Sequence, residues 1–277
     1  MLKTNAKTVE PLVPAPPVAV VAVLGPSTAM GKTTIADVVG SFFRSAAVAV
    51  HTVRIETGVR RAEFPAGDTI IDLDCVGDAA HAVGAEASLF DGVWRRIKAA
   101  TAGGHVVVID GGAGAQRLLL DVASSTGLSG LVAARGASCW VVVVTTPDPE
   151  SARQAAALVA DVNERMPEAN ILLAVSYTSP TQRPGVDTPQ ARAVTAILDP
   201  LHILKVDVPF AGAQALAAFA KSQRSFLEIL RADEQQLVRW SGQGELASLA
   251  AQAHLAAWWR SVTDQLSQVW RFDASNR

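Results

Sequence analysis

The chain has 277 residues, of which 49% are apolar and 5% aromatic, and its formal net charge is −2. Such a length and apolar share allow one sizeable core of Val, Ala and Leu, with or without an appendage. A charge this close to zero excludes a global pull towards nucleic acid or acidic membranes, and no run approaches the roughly eighteen apolar residues that a bilayer span needs.

Residues 1–16 are polar and then rich in proline (Pro11, Pro14, Pro16), unlike a secretory signal, and read as a flexible tail. Cys75 and Cys139 lie near apolar runs and read as inert core thiols, which fits a reducing cytoplasm. A β-branched run, Val18 to Leu24, predicts a first strand, and Thr33 to about Ser45 predicts a helix. Between them stands Gly25-Pro-Ser-Thr-Ala-Met-Gly31-Lys32-Thr33-Thr34. A strand, a loop of small residues, Gly-Lys-Thr and a helix make a phosphate cradle, because loop amides and the positive end of the helix dipole face the anion. Lys32 brings a mobile charge for the β- and γ-phosphates, and the Thr33 hydroxyl can hold Mg²⁺. The glycine usual six places before the lysine is Pro26 here, with Gly25 one place early. The chain is expected to bind a nucleotide.

A second strand, Val48 to Glu56, ends on a carboxylate, and residues 57–69 read as a loop carrying Arg60 and Arg61. Thr69 to Leu73 predicts a short strand that brings Asp72 and Asp74. From Ala85 to Thr101 apolar residues recur at helical spacing, and Gly103-Gly104 ends that helix. His105 to Asp110 predicts a buried parallel strand with an acid at its carboxyl end, followed by Gly111-Gly-Ala-Gly114. Cys139 to Thr146 predicts another, with Asp148 as N-cap and Pro149 opening a helix to about Arg165. Ile171 to Val175 and His202 to Val206 are further strands, separated by a loop from Ser179 to Pro189, and helices fill most of the chain from Gln214 onward. Alternating strands and helices imply an α/β fold of the P-loop NTPase kind, a mostly parallel sheet with helices on both faces. The expected division is a tail over 1–16, a P-loop domain over 17–232 and a C-terminal helical extension over 233–277.

Asp110 falls where a P-loop NTPase needs an acid, at a strand end within reach of the Mg²⁺ shell beside Thr33; the bland alternative is a solvated strand-end aspartate. Ser27 to Thr34, Val106 to Gly114, Val141 to Glu150 and Val206-Asp-Val-Pro209 together resemble the ParA/MinD family of deviant-Walker-A ATPases. The likeness runs over roughly residues 18–230, and the StbB plasmid-stabilisation and conjugation branch is a plausible home. It implies a cytoplasmic Mg²⁺·ATP switch that works as a homodimer with a protein partner in plasmid partition, stability or conjugative transfer. It also implies nucleotide contacts from Ser27, Thr28, Ala29, Met30, Gly31, Lys32, Thr33 and Thr34, and from Ser176 and Pro209 near the adenine. Thr33, Asp110 and Glu56 would surround the metal. The family's signature lysine falls on Ser27, two loop glycines are Thr28 and Ala29, and the place of the adenine-binding asparagine holds Ser176-Tyr177. ATP binding is therefore implied more firmly than fast hydrolysis. For the switch I acids, Glu56 competes with Asp72 and Asp74. Glu56 sits closer to the spacing that one helix and one strand consume and is favoured for the metal shell, with Arg60 and Arg61 in switch I. Asp74 is expected to position the attacking water, and a solvated acid is the bland alternative for each.

Lys221, Arg224 and Arg231 recur at helical spacing from Ala213 onward, opposite Leu216, Phe219 and Phe226. In the family such residues touch the DNA backbone without reading sequence; a solvated face with Glu228 among the cations is the competing reading. A last helix, about Glu245 to Phe272, carries Leu255, Trp258, Trp259, Val262, Leu266 and Trp270. Its cations are balanced by Asp264 and Asp273, so packing on the core or on a partner is favoured over lying on a membrane. The alternative function is a P-loop small-molecule kinase or ATP-dependent ligase, its acceptor held by Arg60, Arg61 and Arg117, or a nucleotide-binding scaffold that hydrolyses nothing.

Overall fold

The computed structural model describes residues 17–27, 30–56, 68–72, 90–112, 115–219, 222 and 224–270. Among the described residues seven strands form one sheet: β1 (Val18–Leu24), β2 (Ala49–Glu56), β3 (Thr69–Asp72), β4 (His105–Gly111), β5 (Ser138–Thr145), β6 (Asn170–Ser176) and β7 (Leu204–Val208). Their order is β3-β2-β4-β1-β5-β6-β7, and every neighbouring pair is parallel. The Val-rich runs of β1, β4 and β5 are apolar on both faces because both faces are covered.

One face carries α2 (Asp91–Thr101), α3 (Ala115–Thr126), α4 (Leu128–Ala133), α5 (Pro149–Arg165) and α6 (Pro189–Leu198), which bury Ile97, Leu120, Val132, Val162 and Leu198 against it. The other carries α1 (Lys32–Ser45), α7 (Ala213–Phe219), α8 (Phe226–Arg231), α9 (Glu234–Ser241) and α10 (Glu245–Val269). Alternation along each strand assigns side chains to the layers: Val107 and Ile109 of β4 face α2–α5, while Val106 and Val108 face α1. The neighbours β1 and β4 send their next helices, α1 and α3, to opposite faces. That makes a crevice at their carboxyl ends, where open α/β sheets bind ligands.

Asp148 caps α5 as expected, accepting from the amides of Glu150 and Ser151, and Pro149 occupies its first turn. Several expectations are corrected. The strand read at His202 to Val206 is Leu204–Val208, because His202 takes the left-handed conformation (φ 51°) and ends a short 3₁₀ turn first. Three helices, α3, α4 and α6, occupy stretches that sequence patterning left unassigned. The single basic helix read from Ala213 is two: α7 ends at Phe219, and Ser225 with Glu228 forms a capping box that starts α8 afresh. Arg224 lies between them, donating to Glu228 Oε1 at 3.0 Å with its guanidinium 4.9 Å from the Trp240 ring centre. It shares no helical stripe with Arg231, and Lys221 lies outside the described residues. The expected helix start at Ala85 lies outside them too; the described helix begins at Asp91.

The Trp-bearing helix α10 packs on the core. Trp258, Trp259, Val262 and Leu266 are buried in the α1 layer, and the Trp258 indole donates to the Pro209 carbonyl at 2.7 Å. Trp270 lies 5.1 Å from Phe43 and 5.7 Å from Trp140, ring centre to ring centre. Gln265 closes the free edge of β7: its Oε1 accepts from the Asp207 amide and its Nε2 donates to the Asp207 carbonyl, both at 2.8 Å. An edge strand left open would template pairing with another chain. Cys139 is free and fully buried, which pushes its thiol up to about 12 and makes it inert; Cys75 lies outside the described residues. Among the described residues no helix is long and apolar enough to cross a membrane.

Candidate functional site

The loop between β1 and α1 is described at residues 25–27, 30 and 31. Gly31 sits at φ 83°, the left-handed region that a side chain resists, and from there α1 starts at Lys32. Lys32 Nζ reaches back over the loop and donates to the Ser27 carbonyl at 2.5 Å. Its stem passes close over Gly25, where a Cβ would meet Lys32 Cδ and the Val144 carbonyl, each at 3.1 Å. The early glycine therefore gives the lysine its path. Met30 turns into the apolar layer beside α1 and anchors the loop, while Thr33 and Thr34 are half-buried. Thr28 and Ala29 lie outside the described residues.

Beside the loop, β2 and β4 contribute a buried charged cluster. Val53 and Ile55 face the α2–α5 layer, so alternation turns Arg54 and Glu56 to the α1 side, with Asp110 on β4 next to them. Asp110 is fully buried. Its Oδ2 accepts from Arg54 Nη1 at 2.9 Å, and its Oδ1 has no hydrogen-bond partner. Burial holds the Asp110 carboxyl above its ordinary range, against the pull of Arg54, of the nearby Thr33 hydroxyl and of Lys32. Arg54 also donates to Asp37 Oδ1 on α1 and to Asp68 Oδ2 just before β3, both at 2.7 Å. Burial works against its charge, yet Asp37, then Asp68 and Asp110, hold it above its usual value. Burial lowers the Lys32 ammonium, opposed by Asp110 and Glu56.

Glu56 is buried at the end of β2 and packs against the loop after β4. A Cβ on Gly112 would stand 2.6 Å from Glu56 Cδ and 2.5 Å from the Ile55 carbonyl, so only glycine fits there. Asp72 is the register partner of Glu56 on β3, one strand further out; Asp74, Arg60 and Arg61 lie outside the described residues. Ser176 ends β6 on the loop side, with its Oγ 3.2 Å from where a Gly31 Cβ would be. Pro209 follows β7 and is tied to Trp258.

Lys32, Thr33, Glu56, Asp110 and Ser176 thus come together at the carboxyl edge of the sheet. Sequence reading missed Arg54, Asp37 and Asp68. The signal was present: an arginine out of phase with Val53 and Ile55, in a strand covered on both sides, must be buried and must find carboxylates. An orphaned carboxylate oxygen beside a threonine hydroxyl at a helix start suits a hard, oxygen-seeking cation that keeps part of its water shell, as Mg²⁺ does.

The β-loop-α unit, with an acid on the adjacent parallel strand, is the arrangement of a P-loop NTPase fold. No family model and no curated protein matches the chain. Among solved structures it is similar to the MinD cell division protein of Aquifex aeolicus, at 12% identity and TM-score 0.47, over 87% of this chain and 96% of that one. It is also similar to a ParA family ATPase from Chlorobium tepidum TLS, at 12% identity and TM-score 0.44, over 86% and 98%. Likeness at this level transfers no activity and no residue's role.

Proposed function

We propose that the chain is a Mg²⁺·ATP-binding switch of the ParA/MinD type. The observation that carries this reading is the juxtaposition of the Lys32 loop, led into α1 by left-handed Gly31, with the unpartnered Oδ1 of Asp110 beside Thr33. Lys32 Nζ would exchange the Ser27 carbonyl for phosphate oxygens, a charge-assisted bond in place of a neutral one. The amides at the start of α1 would face the same anion. Thr33 and Asp110 would hold Mg²⁺, whose charge would offset the negative charge of a bound phosphate tail. Glu56, packed against Gly112 and within Coulombic reach of Lys32, would serve the metal shell or orient a water, with Asp72 beside it on β3. Ser176 and Pro209 would border the base. Ser27 in place of the signature lysine supports slow turnover.

The finer role is a homodimer acting through a protein partner in plasmid partition, stability or conjugative transfer, in the cytoplasm. It rests on the motif resemblance. Calorimetry with millimolar Mg·ATP, Mg·ADP and Mg·GTP tests the core of the reading: heat with adenine nucleotides, lost in Lys32→Ala, is the expected result. No heat from folded wild-type protein overturns it. Light scattering with and without a non-hydrolysable ATP analogue tests the dimer.

The kinase or ligase reading is favoured by one observation. A groove of about 860 Å³ lies between α6, the 177–188 segment and β7, with Tyr177, Arg183, Lys205 and Asp207 in its wall. Tyr177 immediately follows Ser176, so an acceptor there would approach the loop from the side away from α1. Phosphate release that needs a small acid acceptor would select this reading.

A further inference from the structure

Arg54 is 2% exposed and spends each of its three nitrogens on a different carboxylate from a different part of the chain. A buried ion cluster is weak evidence for stability, since apolar side chains of similar volume often serve as well. What a guanidinium supplies that an apolar group does not is direction: a planar fork with donors at set angles. Two of its bonds bear on the nucleotide site. Nη1 takes Oδ2 of Asp110, which fixes the carboxylate plane and leaves Oδ1 as the oxygen to be shared. Nη2 takes Asp37, four residues after Thr33 and hence on the same face of α1. The third, to Asp68, ties the entry of β3 into the same centre.

We propose that Arg54 is the positioning residue of the cation site, holding Asp110 through one oxygen and α1 through Asp37 so that Asp110 Oδ1 and the Thr33 hydroxyl face one divalent cation. The inference rests on the nucleotide reading above. Arg54 itself touches neither phosphate nor metal. It acts as outer partners of metal ligands do, by orienting the groups that bind.

The test is Arg54→Lys, which keeps the charge and removes the fork. Binding of a fluorescent ATP analogue is titrated with MgCl₂, and separately measured in EDTA, on protein shown to be folded by circular dichroism. Half-saturating Mg²⁺ should rise by about tenfold or more, the usual cost of losing an outer-sphere partner, while metal-free affinity stays within about threefold. A folded Arg54→Lys protein with half-saturating Mg²⁺ within twofold of wild type overturns the proposal and leaves Arg54 a structural ion pair. Should Arg54→Lys not fold, Asp37→Asn is read in the same assay: a severalfold rise supports the proposal and no change overturns it. Wild-type protein that binds no ATP analogue with or without metal sinks the nucleotide reading itself, a result distinct from either.

Discussion

Trp258 of α10 and Pro209, the residue after β7, are joined by a 2.7 Å hydrogen bond between the indole N–H and the proline carbonyl. The bond ties the last helix to the end of β7. In Trp258→Phe the ring volume is largely kept and the Pro209 carbonyl loses its donor. The expected loss is about 1–3 kcal/mol of stability, read as a lower urea midpoint at unchanged slope. Removal of α10 altogether, by truncation at Glu245, takes away Leu255, Trp258, Trp259, Val262 and Leu266 from the core. Such a chain should be insoluble or lack cooperative unfolding.

The two glycines of the site fail differently. Gly31→Ala must hold a side chain at φ 83°, and the left-handed region costs an L-residue about 1–2 kcal/mol. Gly112→Ala puts a methyl 2.5 Å from the Ile55 carbonyl, on backbone that the sheet holds. Overpacking of that kind costs about 3 kcal/mol. Gly112→Ala should therefore be the more destabilised protein in side-by-side urea melts, and the reverse order would contradict the close approach described.

Lys32→Ala separates binding from folding. The ammonium donates to a carbonyl of its own loop, so its removal should shift the melting temperature little while abolishing the calorimetric signal for Mg·ATP. A protein that still binds with wild-type affinity would show that the loop amides suffice.

His51 gives a pH test away from the site. Arg96 Nη1 donates to its Nδ1 at 2.8 Å, so Nδ1 is the acceptor, and Nε2 donates to Thr69 at 2.9 Å. The ring is held neutral: burial lowers its pKa below 6.5, helped by Arg96 and opposed by Asp68. Below 6.5 the unfolded chain binds a proton that the folded one refuses, so stability is full above 6.5 and falls as pH drops towards the lowered value. His51→Gln should flatten that part of the pH–stability curve, measured by denaturant midpoints between pH 5 and 7.5.

How much of this was readable from the residues depends on range. Gly31, Lys32 and Asp110 were legible because strand, loop and helix lie together along the chain, and a Val-rich run names its own carboxyl end. The helix start at Ser225 carried its own signal in Glu228 three residues on, but charge spacing across Arg224 suggested one continuous helix instead. Arg54 was not legible, because its partners lie 17, 14 and 56 residues away and meet only once β2 sits beside β4 and beneath α1. Gln265 was hidden for the same reason: a glutamine on a helix says nothing until the bare strand it covers is known.

Trp270 has a consequence for how the chain is made. The apolar side of α1, with Phe42 and Phe43, is covered in part by a ring more than 220 residues downstream. A ribosome delivers α1 early, and until position 270 emerges those phenylalanines lack this part of their cover. The nascent protein must then delay completing its core, or rely on a chaperone to shield that surface during synthesis.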